Sequence, residues 1–188
     1  TNINRQIHAL ETTIGQKKTL MMKERILAIN PQAKVTTIEK LYTPESNFFN
    51  WDDDYTYIVD AVDDVKAKIN LIVNANKHNL PIMSSMGTAN KLDPQKFVIT
   101  DIYKTHTCPL ARIMRKTLKQ QGIKKLKVLY STEEPFTNYT VNFKENTSKD
   151  NSPASTRKQP LGSISFVPPI AGLMIAGEIV KDICQINR

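Results

Sequence analysis

Tyr57-Ile-Val-Asp-Ala-Val-Asp-Asp-Val-Lys-Ala-Lys68, with Leu80-Pro-Ile-Met-Ser-Ser-Met-Gly87 after it, decides the fold. A short apolar strand ends in the carboxylates Asp60 and Asp63, where a helix begins. A second apolar strand follows once that helix has closed at Asn79-Leu-Pro81. In open α/β sheets, ligands sit beyond the carboxyl ends of the strands. Acidic groups at that position can hold a cation, and through it a nucleotide phosphate.

Working outward, Gly15-Gln-Lys-Lys18 leads into a helix that stops near Asn30-Pro31, with Met22, Ile26 and Ile29 at helical spacing. Val35-Thr-Thr-Ile38 is β-branched and reads as a strand within 33–40. The polar connection 43–54 carries an expected short helix around Phe48 and Trp51, and Asp52-Asp-Asp54 reads as a solvated turn. The central strand spans 55–61. The next helix, capped by Asp63 or Asp64, runs to about His78 with Val65, Ile69, Ile72 and Val73 on its buried side. Further strands are expected at 82–85, 97–101, 127–131 and 163–167. Pro109 opens a helix that Gly122 closes. Pro168-Pro169 opens a last, apolar helix from Ile170 to about Ile183, shorter than a bilayer span and interrupted by Glu178 and Lys181, so a core or dimer-interface helix is the reading. Residues 132–160, rich in Thr, Asn, Ser, Lys and Pro, read as a long mobile loop.

The alternation predicts a single α/β domain over 1–188: Rossmann-like, with a mostly parallel sheet and helices on both faces. No G-x-G-x-x-G occurs in the chain, and it opens on Thr1, so the expectation is a fragment lacking its first β-α unit. The 188 residues carry a net charge of +8, which suits a phosphate-bearing partner but leaves an unspecialised basic surface open. Cys108 and Cys184 form no CxxC pair, which argues against a four-cysteine zinc site and makes a reducing, cytoplasmic setting the expectation. His8, His78 and His106 lack ligand spacing.

Several motifs stand in order: Thr1-Asn-Ile-Asn-Arg-Gln6, Gly15-Gln-Lys-Lys18, Val59-Asp-Ala-Val-Asp63, Ile82-Met-Ser-Ser-Met-Gly87, Lys91-Leu-Asp-Pro94 and Asp101-Ile-Tyr-Lys104. The set resembles the ThiF-type adenylating family, which includes ubiquitin-activating enzymes and the activators of molybdopterin-synthase and thiamin sulfur carriers. Ser84-Ser-Met-Gly87 with Asn90-Lys-Leu-Asp-Pro94, Cys108-Pro-Leu-Ala-Arg112 and Gly122-Ile-Lys-Lys-Leu-Lys-Val128 are similar to its tRNA threonylcarbamoyladenosine dehydratase branch. The resemblance implies ATP-dependent adenylation of a threonyl carboxylate on tRNA, followed by ring closure with loss of AMP. It also implies a homodimer.

The resemblance assigns roles residue by residue. Arg5 corresponds to the arginine that reaches the ATP phosphates, where its fixed fork suits paired oxygens. Lys18 corresponds to the lysine on the following helix, and Asp63 to the aspartate that holds Mg2+. Asn2 and Gln6 are secondary ATP contacts; Lys17 is a solvated neighbour. Asp60 either orients groups behind Asp63 or caps the strand end, and Asp64 complements the helix dipole. Cys108, at a helix start that favours a thiolate, is either a covalent nucleophile, a thiol that acts with a sulfur-relay partner, or a buried or partner-facing thiol without chemistry. Cys184 reads as packing.

The helix from Pro109 is two-faced, with Leu110, Ile113, Met114 and Leu118 on one side and Arg112, Arg115, Lys116 and Lys119 on the other, followed by Lys124, Lys125 and Lys127. This strip is the expected tRNA contact. Lys144, Lys149, Arg157 and Lys158, with Phe136, Tyr139 and Phe143, extend that expectation into the long loop. Two further readings stay open here: an activator of a ubiquitin-like or sulfur-carrier protein, and a truncated RNA-binding domain without catalysis.

Overall fold

A computed structural model describes residues 2–136 and 161–186. Tyr139, Phe143, Lys144, Lys149, Arg157, Lys158 and most of the expected loop lie outside the described residues, as does Thr1. The elements are α1 (Lys18–Ile29), β1 (Ile58–Asp60), α2 (Val65–Lys77), β2 (Ile82–Ser85), β3 (Phe97–Asp101), α3 (Pro109–Gln120), β4 (Lys127–Ser131) and α4 (Val167–Ile183). The sheet order is β1-β2-β4-β3. β1, β2 and β4 run parallel, and β3 is antiparallel to β4.

Alternation along the strands divides the core. Val128 and Tyr130 face α2 and α3, packing with Ile72, Met114 and Leu118. Met83 and Leu129 face the other way, onto Val167, Ala171 and Ile175 of α4. Helices therefore cover both faces, the Rossmann-like arrangement expected. A smaller cluster joins Ile58, Leu71 and Ala75 to Tyr42, Phe49 and Trp51.

Four local expectations are corrected. Residues 33–39 have no regular structure and pair with no strand, because β-branched composition favours a strand only where a neighbour supplies a ladder. Phe48 and Trp51 lie in coil and turn, held by ring contacts: Phe48 edge-on to Tyr42 at 6.1 Å and Trp51 stacked on His78 at 5.4 Å. Residues 163–166 form no strand, and Val167 already opens α4, since prolines at a first helical turn lose no intrahelical bond. Cys184 is exposed at the end of α4, not packed. The Asp52-Asp-Asp54 turn is solvent-facing, as expected.

α2 is rotated from its expected face. Its buried positions are Ala67, Lys68, Leu71, Ile72 and Ala75, with Val65, Ile69 and Val73 partly covered. Lys68 is 1 % exposed and pairs with Asp60, 0 % exposed, at 2.9 Å. Asp60 also accepts from Ser84 Oγ at 2.5 Å and from the Val62 amide at 3.2 Å. Lys68 Nζ donates to the carbonyls of Ser85 (2.9 Å) and Val62 (3.3 Å). One buried pair thus joins the carboxyl ends of β1 and β2 to the first turns of α2.

At the other end of the strands, Lys127 bonds Asp182 at 2.6 Å and Glu178 at 3.1 Å, and Tyr57 donates to Asp182 at 2.8 Å, docking α4. The hydrogen bond from Lys127 holds the Asp182 carboxyl below the usual range, against burial and with help from Tyr57. Burial works against the Lys127 charge, yet the bonds to Asp182 and Glu178 outweigh it and raise its pKa.

Removing one member of the buried pair leaves the other charge unpaired. Asp60→Asn and Lys68→Met are each expected to cost about 3–5 kcal/mol in chemical denaturation. The Asp182 contribution is present above the unfolded carboxyl value of 3.8 and is lost as pH falls through the lower folded value; that of Lys127 is present below 10.5 and is lost as pH rises through its raised folded value. Asp182→Asn should therefore flatten both the acid and the alkaline limb of a melting-temperature profile.

Candidate functional site

A cavity of about 600 Å3 opens beyond the carboxyl ends of β1 and β2, lined by Arg5, Asp63, Ser85, Lys91 and Cys108 among others. Its parts come from distant segments, and each is held by identifiable bonds. The loop bearing Asp63 leaves β1 through the Val62 amide and carbonyl, both tied to the Asp60–Lys68 pair. It enters α2 through Asp64, whose carboxylate caps the Ala67 amide at 2.8 Å. Asp63 is left exposed between these two anchors, facing the cavity.

Arg5 sits on a turn in which the Asn2 carbonyl accepts from the amides of Arg5 (3.1 Å) and Gln6 (2.9 Å). Its Nη1 donates to Asn4 Oδ1 at 2.9 Å, and Asn4 Nδ2 donates to the Ser163 carbonyl at 2.9 Å. The turn is thereby docked on 162–163, another wall of the cavity. Asn2 thus acts through its backbone. Gln6 Oε1 is buried without a hydrogen-bond partner among the described residues.

Lys18 is exposed at the start of α1 and does not line the cavity. Its charge, after burial, helps lower the pKa of His8. Cys108 is 5 % exposed; its Sγ accepts from the Ala111 amide at 3.5 Å as the N-cap of α3. Thr107 just before it takes φ +62, uncommon for a β-branched residue.

On α3, Arg112, Lys116 and Lys119 are exposed. Arg115 instead turns back, donating to the Thr105 carbonyl at 2.8 Å and to the Thr105 hydroxyl. Ile113, expected on the apolar side, is 52 % exposed and lies with the basic face. Lys127 is consumed by the α4 ion pairs, whereas Lys124 and Lys125 are exposed.

The residues that sequence reasoning left without a role are Asn90, Lys91 and Glu133. Asn90, at φ +56, bonds the Gly162 backbone twice (2.8 and 2.9 Å) and accepts from the Phe136 amide at 2.9 Å. The Glu133 carboxylate accepts from the Leu92 and Asp93 amides at 3.0 Å each. The segments before and after 137–160 are therefore both fastened to 90–93. Asn90-Lys-Leu-Asp-Pro94 stood out as a motif, but nothing local shows what it fastens. Lys68 carried a readable signal: a lysine at i, i+3, i+4, i+7 spacing with Leu71, Ile72 and Ala75.

A larger groove of about 1120 Å3 lies at the opposite end of the sheet, beside Tyr57, Lys127, Glu178 and Asp182. Lys127 and Lys181 pair there with Glu178 and Asp182, and the groove faces the amino ends of the parallel strands. The smaller cavity, at the carboxyl ends, has the position at which such sheets bind nucleotides.

A mostly parallel α/β sheet with a cationic and a carboxylate side chain facing one strand-end cavity defines a nucleotide-binding class of protein. The ThiF family model matches residues 1–188, and the chain belongs to the ThiF family. It is 41% identical over 188 residues to tRNA threonylcarbamoyladenosine dehydratase of Bacillus subtilis (strain 168), covering 98% of this chain and 73% of that protein. It is 38% identical over 119 residues to the Escherichia coli (strain K12) enzyme of the same name, covering 63% of this chain and 44% of the relative. The crystal structure of E. coli tRNA N6-threonylcarbamoyladenosine dehydratase, TcdA, in complex with ATP matches with a TM-score of 0.78 at 27% identity, covering 98% of this chain and 70% of that one. Its complex with AMP matches equally well, with 71% of that chain covered. Among the described residues, no helix is long and apolar enough to cross a membrane.

Neutralising exposed lysines that meet phosphates should lower the salt dependence of RNA binding by about one unit of slope each. Lys116→Ala and Lys119→Ala are expected to do so in filter-binding titrations with tRNA. Arg115→Ala should instead lower the melting temperature, through loss of the Thr105 anchor.

Proposed function

We propose that this chain carries the ATP-dependent dehydration of threonylcarbamoyladenosine in tRNA. The observation that carries it is the convergence of Arg5 and Asp63 on the strand-end cavity of a ThiF-family domain whose whole length aligns with a dehydratase of that name. ATP is the co-substrate, as in the complexes of the E. coli relative.

The substrate's threonyl carboxylate attacks the α-phosphorus of ATP and pyrophosphate leaves. The carbamoyl group then closes on the acyl-adenylate, and AMP departs. The net change in the tRNA is loss of one water. Arg5 gathers charge on the phosphates as the α-phosphorus is attacked. Lys18, exposed at the start of α1 and outside the cavity lining, keeps only the phosphate role that the family resemblance gives it. Asn2 and Gln6 support the turn that aims Arg5.

Asp63 suits Mg2+. The ion needs few protein ligands, taking one or two carboxylates and completing its shell with phosphate oxygens and water. A single exposed carboxylate facing the cavity fits that demand, and among the described residues no group of three acidic, histidine or cysteine side chains forms a protein-only cage. When bound, the ion offsets phosphate charge; Asp63 supplies its fixed point of attachment.

Cys108 forms a wall of the cavity and caps α3, and no step above uses its thiol. Its burial and its bond to the Ala111 amide support the reading of Cys108 as a packed thiol over that of a covalent nucleophile. The exposed strip of Arg112, Lys116 and Lys119 begins one turn from the cavity wall at Pro109 and Leu110, so tRNA backbone tracked along α3 reaches the site. A homodimer belongs to this reading: Leu173 (72 % exposed), Val180 and Ile183 leave an apolar face on α4.

Incubated with ATP, Mg2+ and threonylcarbamoyladenosine-bearing tRNA, the protein should release AMP and pyrophosphate in step with loss of the unmodified carboxylate. Asp63→Ala should lower that rate by about 100-fold or more with the melting temperature unchanged. Normal turnover by Asp63→Ala, or pyrophosphate release stimulated by a carrier-protein carboxyl terminus and not by tRNA, would sink the proposal.

A further inference from the structure

Lys91 is 4 % exposed yet lines the cavity. An ammonium has three donors. One goes to the Glu133 backbone carbonyl, and among the described residues Lys91 forms no ion pair. The neighbouring carboxylate does not fill the gap. Glu133 spends both oxygens on the Leu92 and Asp93 amides. A buried charge held this way is costly unless something else completes it. Burial does push the Lys91 pKa down, opposed by Glu133, the Cys108 thiol and Glu134. The cavity it lines mixes apolar side chains, Met86, Leu110 and Pro135 among them, with polar ones such as Asp63, Thr88 and Asn90, and Lys91 itself is almost wholly out of solvent. In such surroundings a charge-to-charge contact is worth more than in water.

We propose that Lys91 is the cation that receives the substrate's carboxylate, a role that rests on the reaction read above. Adenylation brings two anions together, and the phosphates already have Arg5 and the cation that Asp63 suits. The carboxylate needs a counter-charge of its own, or it is repelled from the α-phosphorus. Lys91 offers one, on the same 90–93 segment that fastens both neighbouring chain segments. It is a point charge on a flexible stem, so it can hold one carboxylate oxygen while the other attacks.

The test uses an anticodon stem-loop bearing threonylcarbamoyladenosine, either as the free acid or as its methyl ester, with a non-hydrolysable ATP analogue present. Calorimetry should show that the wild-type protein prefers the acid by roughly 10- to 100-fold, the range for a hydrogen bond to a charged group. Lys91→Met should lose that preference while binding the ester and the ATP analogue within about twofold of wild type. Glu133→Ala loosens the same loop without removing the cation, and it should keep the acid preference even if its melting temperature falls. Retention of the preference by Lys91→Met overturns the proposal, and so does a wild-type protein that binds acid and ester alike. A parallel loss of ATP-analogue affinity overturns it in favour of a phosphate contact. Failure of the wild-type protein to turn over modified tRNA would instead fault the reaction reading, and is scored separately.

Discussion

The Asp60–Lys68 pair is the constraint on which the site depends. A strand that ends at a ligand cavity must release its last residues from the ladder without leaving their polar groups unsatisfied. Asp60 takes the Val62 amide and the Ser84 hydroxyl, and Lys68 takes the Val62 and Ser85 carbonyls. The turn from β1 into α2 is thereby fixed on both sides, and Asp63 on that turn faces the cavity. A pair of apolar residues would fill the volume equally well, but it would leave those carbonyls and the amide without partners.

A second fastening defines the other side of the cavity. Residues 90–93 hold the chain at 133–136 and again at 162, through backbone bonds and the Asn90 and Glu133 side chains. Asn90 takes a left-handed conformation that Asn tolerates better than most residues. The amino-terminal turn with Arg5 leans on the same region through Asn4 and Ser163. Segments far apart in the chain thus meet around one buried lysine.

Periodic elements were legible from local pattern. β2, β3 and β4 occupy the expected residues, and α3 begins at Pro109 and closes at Gly122. The failures share a cause. Val35-Thr-Thr-Ile38 has strand composition and no partner, Ile113 has core composition and an exposed position, and Ser163 to Phe166 lie where α4 needs an entry turn. Composition states what a segment can be; pairing and burial depend on what the rest of the chain brings alongside. The basic strip shows the same limit. Arg112, Arg115, Lys116, Lys119 and Lys127 look alike in sequence, but Arg115 is tied to Thr105 and Lys127 to α4.

The sequence alone determined the α/β class, most of the element boundaries, the family and the candidacy of Arg5, Asp63 and Cys108, because these rest on local periodicity and on motif order along the chain. The tertiary structure decided which of them share a cavity: Arg5, Asp63, Lys91 and Cys108 do, and Lys18 stands apart. It also decided that Lys68 and Lys91 are buried. A lysine's side chain is driven inside only when particular carbonyls and carboxylates are already in place to receive it, and those come from segments that sequence proximity does not connect.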